Sequence, residues 1–177
     1  MRNTMKTTLA ALTSLALIPA AATAAYRVGS PFPGTVTATT NYSSGAFHGA
    51  VDISSANACG YWGVETGVYG SMYWNVTIRT TEKVCYGNGS GNQNEVKHTF
   101  ANDKILRQWH FLKTGASYDR DCDRCQIGDE GGTGNVTGPH THMQVDRYGS
   151  NLTGWYDGTT TRGEFLSRGE TVGNIAT

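Results

Sequence analysis

The chain is poor in charge and in proline: only 16% of its 177 residues are Asp, Glu, Lys or Arg, and four are proline. Its 14 basic and 14 acidic side chains cancel, which argues against a basic nucleic-acid binder or an acidic interaction tail. It has no uninterrupted apolar run of the ~20 residues that a membrane-spanning helix needs. It also has no amphipathic helical period longer than two turns, and no long internal repeat, so a helical bundle and a solenoid are both excluded. Glycine, by contrast, supplies 23 residues, nearly twice the usual share of roughly 7%. A chain this short and this rich in turn formers is expected to build one β domain around a modest core.

Residues 1–25 read as a secretory leader. Arg2 and Lys6 are its only charges, Leu9 to Ile18 form a short apolar middle broken by Thr13 and Ser14, and Ala22-Thr23-Ala24 offers a small-residue cleavage site, with Ala25 a competing one. The expected domain is then 26–177, with a formal charge of −2. Export permits disulfides. Of the three pairings open to four cysteines, Cys59–Cys85 with Cys122–Cys125 is favoured, because the second pair is so close in a loop-like run. A four-thiolate structural zinc site is the alternative, and export argues against it.

Stretches rich in β-branched and aromatic residues predict strands at 34–39, 50–53, 67–69, 75–80, 95–100, 104–111 and 141–146. A short helix is expected around 162–167. The fold class is therefore all-β, mostly antiparallel, with long loops.

Three histidine sites stand out. His48 and Asp52 are four apart; on a straight strand they would sit ~13 Å from each other at roughly 3.3 Å per residue. A single metal could reach both only through a bend, and Gly49 permits one. His140 and His142 are two apart, so a strand would project both to one face. Adjacent imidazoles repel when charged, which makes such a pair uncommon without a metal or a proton-transfer task. His110 is a lone histidine in an apolar stretch, Gln108-Trp109-His110-Phe111-Leu112, and by itself reads as a packing residue.

Taken together, HxxxD at His48–Asp52, a strand histidine at His110 and Gly138-Pro139-His140-Thr141-His142 resemble the lysostaphin-type and β-lytic zinc endopeptidases. The glycine-punctuated approach from Ile127 to His140 is also similar to that family, and the resemblance spans about residues 28–147. The chain departs from the pattern at Thr141, where the family has Leu, and at Met143-Gln144, where it has Phe-Glu. Gln108-Trp109 also differ from the aromatic usually found two residues before the third histidine.

The resemblance implies an open groove with Zn2+ held by His48, Asp52 and His142, the fourth position being left to water. His110 and His140 would then be the catalytic histidines, handling the water's proton and the tetrahedral oxyanion. No HExxH motif supplies a glutamate base. His98 is left over as structural or peripheral. The implied substrates are peptidoglycan peptides, in Gly-rich cross-bridges or stem-peptide cross-links, with Gly-rich proteins as further targets. Nucleic acid and, after leader removal, membrane are not expected partners, and a monomer is expected. The aromatics Tyr61, Trp62, Tyr69, Tyr73, Trp74 and Trp155 are expected in the core or the groove walls. Two alternatives compete: a catalytically inactive cell-wall-binding or enzyme-activating domain on the same scaffold, and a carbohydrate-binding β protein with incidental histidines.

Overall fold

A computed structural model of the chain describes residues 25–70, 73–113, 120, 121, 123–156, 158 and 160–176. The leader before residue 25 and Cys122 lie outside these residues. The strands are β1 (Ala25–Gly29), β2 (Gly34–Ala38), β3 (Val51–Ser54), β4 (Gly63–Glu65), β5 (Tyr73–Thr77), β6 (Glu95–Thr99) and β7 (Lys104–Trp109), then β8 (Leu112–Lys113), β9 (Arg120–Asp121), β10 (Gln126–Asp129), β11 (Thr141–Arg147), β12 (Ser150–Asn151), β13 (Phe165–Leu166) and β14 (Thr171–Ala176). Two single turns of 3-10 helix are present, and no α-helix occurs among the described residues.

The main sheet runs β13-β2-β3-β11-β7-β6-β5-β9, with β12 paired to β11. A three-stranded sheet, β4-β10-β8, and a two-stranded one, β1-β14, complete the domain. Every pairing is antiparallel. The all-β expectation is met.

Alternation on the central strands explains the core. Along β11, Met143 and Val145 are fully buried and belong to the hydrophobic cluster, alongside Leu106 of β7, Val96 of β6 and Ile53 of β3. Each such side chain contributes roughly 1.5–3 kcal/mol on burial. The residues between them, His142, Gln144 and Asp146, occupy the other face of β11. The core thus fixes the register that carries the histidines.

Several expected boundaries shift, each for a local reason. The 104–111 strand stops at Trp109, because His110 adopts φ +79° and turns the chain out of the ladder. The 67–69 segment makes only an isolated bridge between Val68 and Val28, and the strand lies earlier, at Gly63–Glu65. In place of a helix at 162–167 there is a turn through Gly163, φ +92°, followed by the short strand β13. The closing pair β1 and β14 has no strong alternating signal and was not anticipated.

Candidate metal centre

His48, Asp52 and His142 converge. His48 Nε2 lies 3.2 Å from Asp52 Oδ1 and 3.1 Å from His142 Nδ1, and His142 Nδ1 lies 2.9 Å from Asp52 Oδ1. Two features of the fold bring this about. Asp52 and His142 are directly opposite each other on the neighbouring strands β3 and β11, where facing side chains are close enough to touch. His48 precedes β3 on a turn: its backbone N–H and that of Gly49 both donate to the Thr40 carbonyl, and Gly49 takes φ +71°. A side chain at Gly49 would be strained there. That bend replaces the ~13 Å of a straight strand with direct contact.

The donor set suits a cation. His48 Nδ1 donates to the Thr39 carbonyl at 2.8 Å, which leaves Nε2 with its lone pair facing the cluster. The three facing atoms are then two imidazole nitrogens and a carboxylate oxygen, all on buried residues. Such a group can hold a metal ion. Either a shared proton or a cation must balance it. Two nitrogens and one oxygen are ligands that zinc favours, and a tetrahedral ion with ligands at ~2.0–2.2 Å places them roughly 3.3–3.6 Å apart, close to the spacing observed. Burial would raise the pKa of Asp52, yet the facing His142 and His48 rings, which donate to it whenever they carry a proton there, outweigh that and hold it far below the usual carboxylate range in the absence of a metal. For His48, burial works downward, and the Asp52 carboxylate more than compensates, so its pKa is raised.

His110 and His140 stand beside this cluster, their rings 4.7 Å apart. Each donates Nδ1–H to a loop carbonyl: His110 to Thr133 at 2.7 Å, His140 to Gly138 at 2.9 Å. Their Nε2 atoms therefore carry the free lone pairs, and that of His140 is 3.8 Å from Asp52 Oδ2. His140 lies just before β11, which begins at Thr141 as expected. Burial, reinforced by neighbouring His140 and His142, lowers the pKa of His110 to about 3, so this imidazole is neutral.

All of these except His48 line a groove of about 510 Å³. One wall is Thr37, Ala38, Tyr42 and Ser54; the other is the loop from Asn135 to His140. That loop is fastened from behind. Gly132 N–H donates to Val84 O at 2.8 Å, Gly87 N–H to Gly132 O at 2.9 Å and Asn88 N–H to Gly134 O at 2.8 Å. A Cβ on Gly132 would land inside the Cys85 carbonyl, so only glycine lets the two backbones approach this closely. Cys85 is disulfide-bonded to Cys59. This bond confirms one expected pairing and excludes the four-thiolate zinc site.

The core expectation holds for Trp74 and Trp155, with Trp62 packed against the core, whereas Tyr61 is exposed; none of Tyr61, Trp62, Tyr69, Trp74 and Trp155 lines the groove. The groove aromatic is Tyr42, its ring tilted 46° against that of His48 with centroids 4.4 Å apart, its phenol pKa raised by burial and then by the Asp52 carboxylate. Its place six residues before His48, in a polar run, gave no signal. Of the two readings of His98, structural or peripheral, the first fits: it sits in the core, with neither ring nitrogen hydrogen-bonded among the described residues.

No protein-family model matches the chain, and no curated protein matches it significantly. Among solved structures it is similar to a zinc-containing peptidase from Vibrio cholerae, with TM-score 0.43 and 21% identity over 72% of this chain. The match spans 39% of that longer chain. It is also similar to a mutant of the catalytic domain of the prophage-encoded M23 protein EnpA from Enterococcus faecalis, with TM-score 0.44 and 17% identity, covering 68% of this chain and 88% of that one.

Proposed function

We propose that the chain is a secreted zinc metalloendopeptidase of the lysostaphin type, acting on the peptides of peptidoglycan. The observation that carries this reading is the convergence of His48 Nε2, Asp52 Oδ1 and His142 Nδ1 at the floor of an open groove beside two further histidines. A zinc ion in that set supplies Lewis acidity, polarising a scissile carbonyl and bringing the pKa of water towards ~7.

The remaining work falls to the chain's own side chains. His140 takes the proton from the attacking water and returns it to the leaving amine. Its Nε2 lone pair faces the Asp52 carboxylate at 3.8 Å, so a positive charge formed there has a counter-charge beside it. His110 is the poorer place for that charge, because burial keeps it neutral; it holds His140 in place across a 4.7 Å ring contact, and its Nε2 lone pair can accept a hydrogen bond without taking the proton. Tyr42 lines the opposite wall, where its hydroxyl can donate to a developing oxyanion. An extended, small-residue peptide suits the groove, since glycine allows the backbone to approach a metal at its floor. Gly-rich bridges, stem-peptide cross-links and Gly-rich proteins all offer such a segment.

The test is incubation with peptidoglycan sacculi of two cross-link types, with and without a chelator, followed by mass analysis of the released fragments. New amino termini that disappear with the chelator support the reading. New reducing sugars, or release that ignores the chelator, overturn it.

A further inference from the structure

We infer that Gln144, which lies outside the groove, is a positioning residue that fixes the tautomer and ring orientation of His142 as a metal ligand. The inference rests on the metal reading above but starts from a different part of the molecule, the outer face of the main sheet.

On that face, β11 presents His142, Gln144 and Asp146 in succession. Cross-strand pairing sets Trp109 opposite His142 and Arg107 opposite Gln144, and Glu95 of β6 opposite Trp109. The direction of the hydrogen bonds along this row is forced from one end. Arg107 is a permanent cation with donors only, and its Nε donates to Asp146 Oδ2 at 2.6 Å. The other Asp146 oxygen is 2.6 Å from the Gln144 amide. A carboxylate accepts, so the amide must turn its NH2 towards Asp146. Its carbonyl oxygen then faces His142 Nε2 at 3.1 Å. A carbonyl also only accepts, so Nε2 of His142 carries a proton. Any second proton on Nδ1, which faces Asp52 at 2.9 Å and His48 at 3.1 Å, is the one that a metal ion displaces.

Trp109 backs the ring. Its indole lies flat against His142, with centroids 4.6 Å apart and planes 7° from parallel. The indole is itself held by a hydrogen bond from Nε1 to Glu95 at 2.9 Å, and Glu95 also accepts from Arg107. Arg107 therefore anchors both the partner that sets the proton of His142 and the surface on which the ring rests. Gln144 is absent from the groove lining, which separates this role from substrate contact.

The test compares the native chain with Gln144→Leu, and with the double variant Gln144→Glu/Asp146→Asn, which restores an acceptor facing His142 and a donor behind it. In metal-free protein at about pH 8, above the ordinary imidazole range, nitrogen NMR of the native chain should show His142 protonated on Nε2 in a slowly exchanging N–H. Gln144→Leu should lose the slow exchange while keeping its thermal midpoint. In competition with a chromophoric chelator, zinc affinity should fall by about 10–100-fold in Gln144→Leu and recover to within about threefold in the double variant. The cobalt-substituted visible spectrum should change with it. Zinc affinity unchanged in Gln144→Leu, or a neutral native His142 ring protonated on Nδ1, overturns the inference. A native chain that shows the Nε2 proton yet binds no zinc overturns the metal reading instead.

Discussion

The two halves of the site are built from different materials. His142 and Asp52 sit on neighbouring central strands, with His48 pinned beside them at the turn into β3, and a hydrogen-bonded row from Arg107 to Gln144 supports them from behind. His110 and His140 hang on loop carbonyls: Thr133 O, Gly138 O and, through the His140 backbone N–H, Gly131 O. That loop is held by backbone bonds to the 84–88 segment and, through Cys85, by a disulfide to Cys59. A ligand set on a sheet inherits the sheet's stability, whereas a loop-borne pair is only as ordered as its fastenings. Metal binding and proton transfer should therefore separate under mutation.

The largest effect expected is on the sheet side. His142→Ala removes one of three ligands, and the purified variant should retain no stoichiometric zinc and no activity when metal content and fragment release are measured together. On the loop side, His140→Ala should keep its zinc yet lose ~10²–10⁴-fold in turnover, the range for general acid–base catalysis. Near-native turnover in that variant would erase the division between the halves.

A gentler break comes from Cys59→Ser/Cys85→Ser. The bond closes a separation of 26 residues, so its loss should cost about 3 kcal/mol in chemical denaturation. It should also lower kcat, because the segment that holds the loop is freed, while zinc affinity stays within about threefold of native, well short of the change expected for a perturbed ligand environment. Equal losses of zinc affinity and kcat would show that the halves are one unit.

The effect that is smallest at neutral pH, where it vanishes, and grows only on acidification is a pH liability of the sheet side. Burial lowers the pKa of His98 to about 3, against about 6.5 in an unfolded chain. Between those values the unfolded state binds the extra proton, so this stability is complete above about pH 6.5 and is lost as pH falls towards 3, by up to about 1.4 kcal/mol per unit. Urea melts of His98→Phe should show a flatter acid limb than the native chain. An unchanged slope would remove His98 as its cause.

What could be seen in the sequence follows the same division. The β class and the central strands were legible, because alternation is a local pattern tied to geometry; the HxxxD and HxH spacings singled out His48, Asp52 and His142, but only the family resemblance named them as a ligand set. The Gly49 bend was required by arithmetic before it was observed. His110 resisted, since its positive φ depends on a bond from its backbone N–H to the Asn94 carbonyl that no local pattern encodes. Tyr42, Gln144 and the fastening of the 130–140 loop were illegible for a related reason: Tyr42 meets His48 only through the turn into β3, the Gln144 amide is oriented through Asp146 by Arg107 on another strand, and the loop is tied to Val84, Gly87 and Asn88 far back in the chain. Cys59–Cys85 was anticipated as a pair, but its place behind the loop that carries His140 was not.

The most direct measurement is a zinc titration of the metal-free chain by calorimetry, beside Asp52→Ala and His140→Ala. One zinc per native chain is expected, with the same stoichiometry in His140→Ala and no tight site in Asp52→Ala. Tight binding that survives Asp52→Ala, or is lost with His140→Ala, would contradict the assignment of the ion to His48, Asp52 and His142.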